Sequence, residues 1–172
     1  MTARPAQIPA RRVLLRPVAP GDREDMLRIF SSEAIGKTYM LPHFDGPAAM
    51  EKLFSRFVAL SEAPDRLVYG VSLNGRLIGF LNEVTKDETG IELGYVIHPD
   101  WQNRGYMTEA LAAAIGALFQ MGYTAVRAGF FEGNEASRQV MEKCGMTRID
   151  RTEAIEYRGQ THRCIYYEIK AG

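Results

Sequence analysis

The sequence predicts a single domain of mixed α/β class, in which helices pack on one β-sheet. The chain has 172 residues, a length that suits one domain better than two. Its composition, 46% hydrophobic and 24% charged, is that of a globular protein and excludes a disordered, collagen-like or coiled-coil chain. Segments with strand-like alternation are interleaved with segments of helical periodicity, without an internal repeat or a linker.

The N-terminal third is predicted to contain one strand and two helices. Residues 1–10 carry two prolines and no apolar core, so we expect an irregular arm before a domain of residues 11–172, and no signal peptide. Residues 13–17 are predicted as a short strand, and Asp22 as the cap of a first helix. Pro47 suits the first turn of a second helix, whose apolar residues recur at helical spacing: Met50, Leu53, Phe54, Phe57 and Val58.

The middle of the chain is predicted to form a three-stranded meander followed by a long helix. Asn74-Gly75 favours a tight hairpin between strands at residues 67–73 and 76–85. A third strand, 90–98, precedes a helix over residues 104–121 with apolar residues on one face.

The C-terminal part is predicted as a strand, a short helix and a hairpin. The strand covers residues 125–131, and Asn134 caps a helix that ends near Gly145. Strands at 147–157 and 161–170 then form the hairpin. The element order is therefore β-α-α-β-β-β-α-β-α-β-β, which places the helices on one sheet.

The charge balance and the apolar pattern exclude several classes of protein. The 21 basic and 21 acidic residues give a formal net charge of zero, whereas a dedicated nucleic-acid binder is usually basic. The longest apolar stretch, 110–119, is interrupted by Gly116 and is too short for a bilayer, which needs roughly 20 residues. Two cysteines are too few for a disulfide scaffold, and the three histidines lack metal-ligand spacing. We expect a cytoplasmic protein that binds no nucleic acid, no membrane and no metal.

The most informative segment is residues 92–110, where a strand ends at His98-Pro99 and a helix opens near Arg104-Gly105. The first N–H groups of a helix lack partners and lie at the positive end of its dipole, so they attract phosphate. Gly105 would let an anion approach the backbone closely. A pyrophosphate cradle is one interpretation and an ordinary turn is the other, because a single glycine at such a junction is weak evidence. Neither a Walker loop nor a dinucleotide fingerprint is present.

Three segments, in chain order, resemble the GNAT family of N-acetyltransferases. Gln102-Asn-Arg-Gly105-Tyr-Met107 resembles the Q/R-x-x-G-x-G/A signature, with Met107 standing where the signature has Gly or Ala. Residues 134–146 (NEASRQVMEKCGM) resemble the family's N-x-x-S helix. Residues 12–17 (RVLLRP), followed by Asp22, resemble the opening of the RimJ/RimL-like branch, which acetylates ribosomal-protein N-termini.

The resemblance implies the GNAT fold, a central mixed, mostly antiparallel twisted sheet with a splayed strand pair and helices on both faces. It implies an N-acetyltransferase that binds acetyl-CoA as co-substrate in the cleft where the two strands part. The pantetheine arm would then lie along the backbone of Tyr95, Val96 and Ile97, and Asn134 would either contact the CoA arm or serve only as an N-cap. The pyrophosphate would lie against the following loop and helix start, formed by Gln102, Asn103, Arg104, Gly105, Tyr106, Met107 and Thr108.

Acetyl transfer to an amine needs a proton acceptor for the amine and a proton donor for the leaving thiolate. Glu92 is the candidate base, because strand alternation places its side chain on the face of Val96; a solvated glutamate at the sheet edge is the alternative. Other family members place a glutamate five residues before the motif asparagine, where this chain has Gly129. Ser137 is the candidate acid, or only a serine of the helix first turn. A backbone N–H near Val96 or Ile97 is expected to bind the oxyanion.

The acceptor is the least determined part of the reaction. By the same resemblance, Tyr39, His43 and Phe44 help to wall the acceptor site, and the expected acceptor is a protein N-terminal amine. A small amine (a polyamine, an aminoglycoside or an amino acid) and a catalytically silent CoA-binding module remain open alternatives. The expected assembly is a monomer or a homodimer.

Overall fold

The computed structural model describes residues 1–172 and contains five α-helices and one eight-stranded sheet. The helices are α1 (Arg23–Phe30), α2 (Glu33–Thr38), α3 (Pro47–Glu62), α4 (Tyr106–Met121) and α5 (Glu135–Lys143). The strands are β1 (Ile8–Pro9), β2 (Leu14–Arg16), β3 (Val68–Leu73), β4 (Arg76–Lys86), β5 (Gly90–Ile97), β6 (Ala125–Phe131), β7 (Thr147–Tyr157) and β8 (Gln160–Lys170).

The strands form one open sheet in the order β1-β2-β3-β4-β5-β6-β8-β7. Neighbouring strands are antiparallel except β5 and β6, which are parallel. The β5–β6 pairing ends at Leu93↔Ala128, although β5 continues to Ile97 and β6 to Phe131. The two strands therefore splay apart beyond Leu93, and the predicted mixed sheet with a splayed pair is confirmed.

Helices cover both faces of the sheet, as predicted. Leu111 of α4 is buried on one face together with Leu93 of β5. On the other face, α1 and α3 cover the sheet, and Phe30 packs against Phe80 of β4 in the cluster that includes Val96. Because successive strand residues point to opposite faces, β5 contributes to both layers. None of the five helices combines the length and apolarity needed to cross a bilayer.

Two elements near the N-terminus differ from the sequence-based expectation. The segment 1–10 is not wholly irregular, because Ile8–Pro9 pairs with β2 as strand β1 and Ile8 is buried in the core. Helix α2 was not predicted, since its six residues are too few to show helical periodicity. Its N-cap is Ser32, whose hydroxyl accepts a hydrogen bond from the N–H of Ile35 at 3.3 Å.

Asp22 stands at the N-cap position of α1, as predicted, but the predicted side-chain cap is wrong. Its carboxylate makes no side-chain cap to α1 and instead accepts two hydrogen bonds from Arg16, at 2.8 and 2.9 Å. It also accepts the N–H of Ala19 at 2.8 Å. Arg16 thus competes successfully for the carboxylate, because its guanidinium carries a full charge and makes two parallel hydrogen bonds to it. Asp22 therefore fastens β2 to the start of α1.

The predicted hairpin and the second cap are confirmed. Asn74 and Gly75 adopt φ angles of 50° and 84°, which the tight β3–β4 turn requires. Asn134 caps α5 by accepting the N–H of Ser137 at 3.3 Å. Pro47 occupies the first position of α3, where its missing N–H costs nothing.

Candidate active site

A cleft of about 890 Å³ opens where β5 and β6 part. It extends past the N-terminal ends of α4 and α5 and reaches the side chains of β7 and β8. Of the site residues predicted from the sequence, all line this cleft except Arg104, His43 and Phe44.

The structure places these three residues elsewhere. The carbonyl of Arg104 accepts a hydrogen bond from Arg12 at 3.1 Å, in the loop before α4. His43 is exposed and lies 3.2 Å from Asp45. The ring of Phe44 packs against Phe30, with 5.9 Å between centroids. Of the three residues predicted to wall the acceptor site, the structure therefore brings only Tyr39 to the cleft.

The splayed end of β5 presents an open strand edge to the cleft. The N–H of His98 donates to Ile78 of β4 at 2.8 Å, which fixes the alternation of the backbone groups. By that alternation the N–H and C=O of Val96 also face β4, whereas those of Tyr95 and Ile97 face the gap. The C=O of Ile97 is already engaged, because the side-chain amide of Gln102 donates to it at 3.0 Å. Val96 was predicted to offer its backbone to a ligand, and this register directs it away.

The N-terminus of α4 forms the second side of the cleft. Asn103 and Gly105 adopt positive φ angles of 61° and 80°, which turn the chain sharply into the helix. The first intrahelical bond joins the N–H of Glu109 to Gly105 at 3.0 Å, so the preceding N–H groups have no helical acceptor. Met107 is only 3% exposed and packs into the core beneath α4. Although the signature has Gly or Ala at this position, the buried Met107 side chain therefore does not fill the side of the loop that faces the cleft.

Arg12 is a further residue of this site. It belongs to one of the segments that resemble the family, but the sequence predicted no role for its side chain. Its Nε lies 2.9 Å from Oε2 of Glu109, and its guanidinium lies 4.4 Å from the centroid of the Tyr106 ring. Burial alone would raise the pKa of Glu109, but hydrogen bonds from the backbone and side chain of Arg12 and the backbone of Val13 hold it below its ordinary value. Arg12 thereby ties the N-terminal segment to the loop before α4.

A pair of hydroxyl groups crosses the cleft between β5 and α5. The hydroxyl oxygens of Tyr95 and Ser137 are 2.9 Å apart, and Tyr95 also donates to the backbone C=O of Ser137 at 3.2 Å. Burial raises the pKa of Tyr95 above its ordinary value, so its phenol remains protonated at neutral pH. The sequence predicted a role only for the backbone of Tyr95, because nothing in it indicates that the side-chain hydroxyl would meet a partner 42 residues away.

Glu92 is held at the other end of the cleft by an arginine from β7. Its side chain is 9% exposed, and Oε2 accepts a hydrogen bond from Arg151 at 3.1 Å. Arg151 also donates to Glu153 at 3.0 Å and lies 3.7 Å from the centroid of the Tyr166 ring. Hydrogen bonds from Tyr166 and then Arg151 lower the pKa of Glu153. Glu92 is therefore a buried, ion-paired carboxylate and not a solvated glutamate at the sheet edge.

Beyond Gly94 the cleft ends among polar groups that already have partners. The hydroxyl of Tyr39 donates to Oδ1 of Asn82 at 2.9 Å, and burial raises the pKa of Tyr39 to about 12. Oε1 of Glu83 lies 2.8 Å from Nε of Arg66. The two groups form an ion pair, but the direction of the Nε–H bond does not allow a hydrogen bond between these atoms. Oε2 of Glu83 lies 3.3 Å from Lys86. This end of the cleft consequently offers little unpaired charge.

The two thiols do not supply a nucleophile. Burial raises the pKa of Cys144 to about 11, and its Sγ donates to the C=O of Thr108 at 3.3 Å. Burial also raises the pKa of Cys164. Both thiols are therefore protonated near neutral pH, and the thiol is a weak nucleophile. No group of three or more His, Cys, Asp or Glu side chains is arranged to hold a metal ion.

A splayed parallel strand pair beside an open helix N-terminus defines a GNAT-type acyltransferase. The family model described as acetyltransferase (GNAT) domain matches residues 12–147. The chain therefore belongs to the GNAT family and is an acetyl-CoA-dependent acyltransferase.

Three similar proteins agree with this assignment. The uncharacterized N-acetyltransferase YoaA of Bacillus subtilis (strain 168) is 23% identical over 142 residues, 80% of each chain. The structure of a GNAT-family acetyltransferase from Bacillus anthracis has a TM-score of 0.82 at 23% identity and covers 95% of this chain and 98% of its own. An acetyltransferase from Salmonella typhimurium, which modifies the N-terminal serine of ribosomal protein L7/L12, has a TM-score of 0.81 at 15% identity, with 96% and 99% covered. At these identities the two structures show a shared fold.

Proposed function

We propose that the chain transfers the acetyl group of acetyl-CoA to the α-amine of a protein N-terminus that begins with serine. The part of the cleft that contains Glu83, Glu92 and Glu153 is here called the acceptor end. The observation that carries this proposal is that these three carboxylates are already paired. Glu83 lies beside Arg66 and Lys86, while Arg151 bridges Glu92 and Glu153. A polyamine or an aminoglycoside carries several cations and needs unpaired carboxylates. A peptide brings one amine followed by neutral backbone, which asks less of the site.

The rim of the acceptor end also favours a peptide. Met40 and Val84 line the cleft and are 51% and 57% exposed, whereas large apolar side chains elsewhere are mostly buried. Exposed apolar residues at a cleft are typical of sites that bind protein. The Salmonella neighbour, which modifies an N-terminal serine, supports the same class of acceptor.

The residues at the splay fit acetyl-CoA. At Gly129 the glycine leaves room for the Tyr166 ring, because a Cβ at this position would lie 2.7 Å from it. On the open edge, the C=O of Tyr95 and the N–H of Ile97 can extend the strand pairing to an amide-containing chain, as in β-strand addition. The free N–H groups at the start of α4 can hold a pyrophosphate. When bound, acetyl-CoA supplies the thioester carbonyl that the amine attacks.

The proton of the amine and the proton for the leaving thiolate are proposed to be transferred by side chains at different places in the cleft. Arg151 holds Oε2 of Glu92, so Oε1 is the oxygen proposed to take the amine proton, directly or through water. The N–H of Tyr95, the open-edge donor nearer to Glu92, is proposed to bind the oxyanion. Ser137 is proposed to give its proton to the leaving thiolate and to regain one from the Tyr95 hydroxyl, whose oxygen lies 2.9 Å from Oγ of Ser137 and which recovers its proton from solvent.

The test is a CoA-release assay with a matched set of amines. The acceptors are a serine-initiated peptide, the same peptide with a blocked N-terminus and an internal lysine, spermidine, an aminoglycoside and free serine. We expect acetylation of the free peptide α-amine, located by mass spectrometry, with at least about tenfold lower kcat/KM for the other amines. A preference for spermidine or the aminoglycoside would contradict the proposed acceptor and leave the acetyltransferase assignment intact.

A further inference from the structure

A second cavity, of about 220 Å³, adjoins the acceptor end of the cleft. We call it the side pocket. It shares Tyr39, Met40, Asn82 and Glu83 with the cleft, so the two spaces meet at these residues. Its remaining wall is formed by six apolar residues, Leu41, Pro42, Leu53, Phe57, Leu60 and Val68, and by two cationic ones, Arg56 and Arg66.

The side pocket follows directly from the packing of α3 on the sheet. Leu53, Phe57 and Leu60 are spaced four and three residues apart, so they share one face of the helix. All three are only partly buried, although Phe57 also packs on Phe80 with 4.7 Å between centroids. The apolar face of α3 is thus longer than the part of the sheet it covers, and its C-terminal portion borders a cavity.

The sheet register sets the distance from the pocket to the reacting end of the cleft. Asn82 is paired with Gly94 on one side and with Val68 on the other, so the three residues form a row across β5, β4 and β3. Adjacent strands are about 4.8 Å apart, which places Val68 about 10 Å from Gly94. An extended peptide advances about 3.3–3.6 Å per residue. The side chain of its second residue therefore spans the distance, whereas that of its first does not.

The polar groups of the wall are already engaged. Asn82 accepts from Tyr39 at 2.9 Å and donates to the backbone of Glu83 at 3.1 Å. The Glu83 carboxylate also accepts the N–H of Leu67 at 2.9 Å, in addition to its ion pairs. An aliphatic side chain would leave all these contacts intact and would gain from burial. A polar side chain would find two cationic side chains in the wall: Arg56, which is exposed, and Arg66, which is ion-paired with Glu83 although its Nε makes no hydrogen bond.

We propose that the side pocket binds the side chain of the second residue of the acceptor peptide and selects an aliphatic one. This inference rests on the proposed function, because it requires a peptide α-amine as the acceptor. It makes Leu60 and Met40 residues that determine specificity, although neither contacts the reacting atoms.

The test uses otherwise identical peptides that begin Ser-Leu, Ser-Ala or Ser-Asp. For the wild-type protein we expect kcat/KM for Ser-Leu to exceed that for Ser-Ala by about 10-fold or more, with Ser-Asp no better than Ser-Ala. Leu60→Trp fills the pocket and should reduce the Ser-Leu preference to about threefold or less. Ala59→Trp, one residue away on the exposed side of α3, is the matched control and should keep the preference.

The Ser-Ala rate reports whether each variant is folded and active. As a second variant, Leu60→Ala enlarges the pocket and should move the preference from Ser-Leu towards Ser-Phe. Equal use of Ser-Leu and Ser-Ala by the wild type, a preference for Ser-Asp, or a Ser-Leu preference that survives Leu60→Trp would each overturn the pocket assignment. If no peptide is acetylated at its α-amine, the proposed function fails, and the pocket assignment fails with it.

Discussion

Replacing Glu92 with glutamine tests the role of the buried carboxylate most directly. Glutamine keeps the shape of the side chain and can still accept a hydrogen bond from Arg151, but it cannot take a proton from the amine. Loss of a general base typically lowers the rate by about 10²–10⁴. We expect a loss of kcat/KM in this range near neutral pH, with acetyl-CoA binding nearly unchanged, because Glu92 lies away from the start of α4.

The structure also bounds how far Glu92→Gln can act through stability. A hydrogen bond to a charged group contributes about 1.5–3 kcal/mol and a neutral one about 0.5–1.5, so the exchange costs about 1 kcal/mol. The Arg151 side chain is 37% exposed and keeps its contact with Glu153, which reduces this cost further. For a chain of this size, about 1 kcal/mol lowers the thermal midpoint by roughly 2–4 °C. The variant should therefore remain folded.

The assay compares the pH profile of kcat/KM for Glu92→Gln and wild type between pH 6 and 9, beside the thermal midpoint and acetyl-CoA affinity of each protein. The deficit should shrink as pH rises, since more of the amine is then neutral and needs no base. Glu153→Gln is the matched control: it removes the other carboxylate bound to Arg151 and should cost less than about tenfold. Parallel profiles for Glu92→Gln and wild type would refute the base assignment and leave positioning of the substrates as the main source of catalysis.

Three further predictions concern the co-substrate and the leaving group. Gly105→Glu places negative charge at the start of α4 and should abolish the rise in thermal midpoint caused by acetyl-CoA. The control Gly75→Glu, at a similar φ but in open space, should retain that rise, and equal rises in the two variants would contradict a pyrophosphate site at the start of α4. Ser137→Ala should lower kcat by about tenfold or more with little change in acetyl-CoA affinity, and adding Tyr95→Phe should cost little more if the two hydroxyls act as one relay; fully additive losses in kinetic assays would exclude the relay. Arg12→Met removes the contacts that fasten the loop before α4 and should raise the KM for acetyl-CoA by about tenfold with kcat less affected; an unchanged KM would show that the loop holds its shape without Arg12.

Local sequence signals predicted most of the fold because they act over a few residues. Asn74-Gly75 forms a tight turn whatever lies further along the chain, and Asn134 caps α5 through a neighbour three residues away. Asp22 has the same capping chemistry, but the sequence could not show that Arg16 would take its carboxylate. The prediction failed because the Asp22 carboxylate had two potential partners, the N–H groups at the start of α1 and the guanidinium of Arg16, and the sequence does not show which of them it binds.

The direction of side chains along a single strand of the site was predictable from the sequence, whereas contacts between residues of different elements were not. Strand alternation correctly placed Glu92 and Val96 on one face of β5. It could not show that Arg151, 59 residues away, would bind Glu92, or that Arg12 would reach Glu109 over 97 residues. Such contacts depend on the order of strands in the sheet, which periodicity does not encode.

The position of β8 between β6 and β7 has a consequence for how the enzyme is made. Residues 160–170 pair with β6 on one side and with β7 on the other, so the edge of β6 remains open until this stretch has left the ribosome. Arg151 and Tyr166, which surround Glu92, arrive on the same two strands. During synthesis, the parts that hold the co-substrate can therefore assemble before Arg151 and Tyr166 complete the acceptor end. A chain stopped before residue 160 would expose the β6 edge, which favours aggregation, and would lack part of the acceptor end.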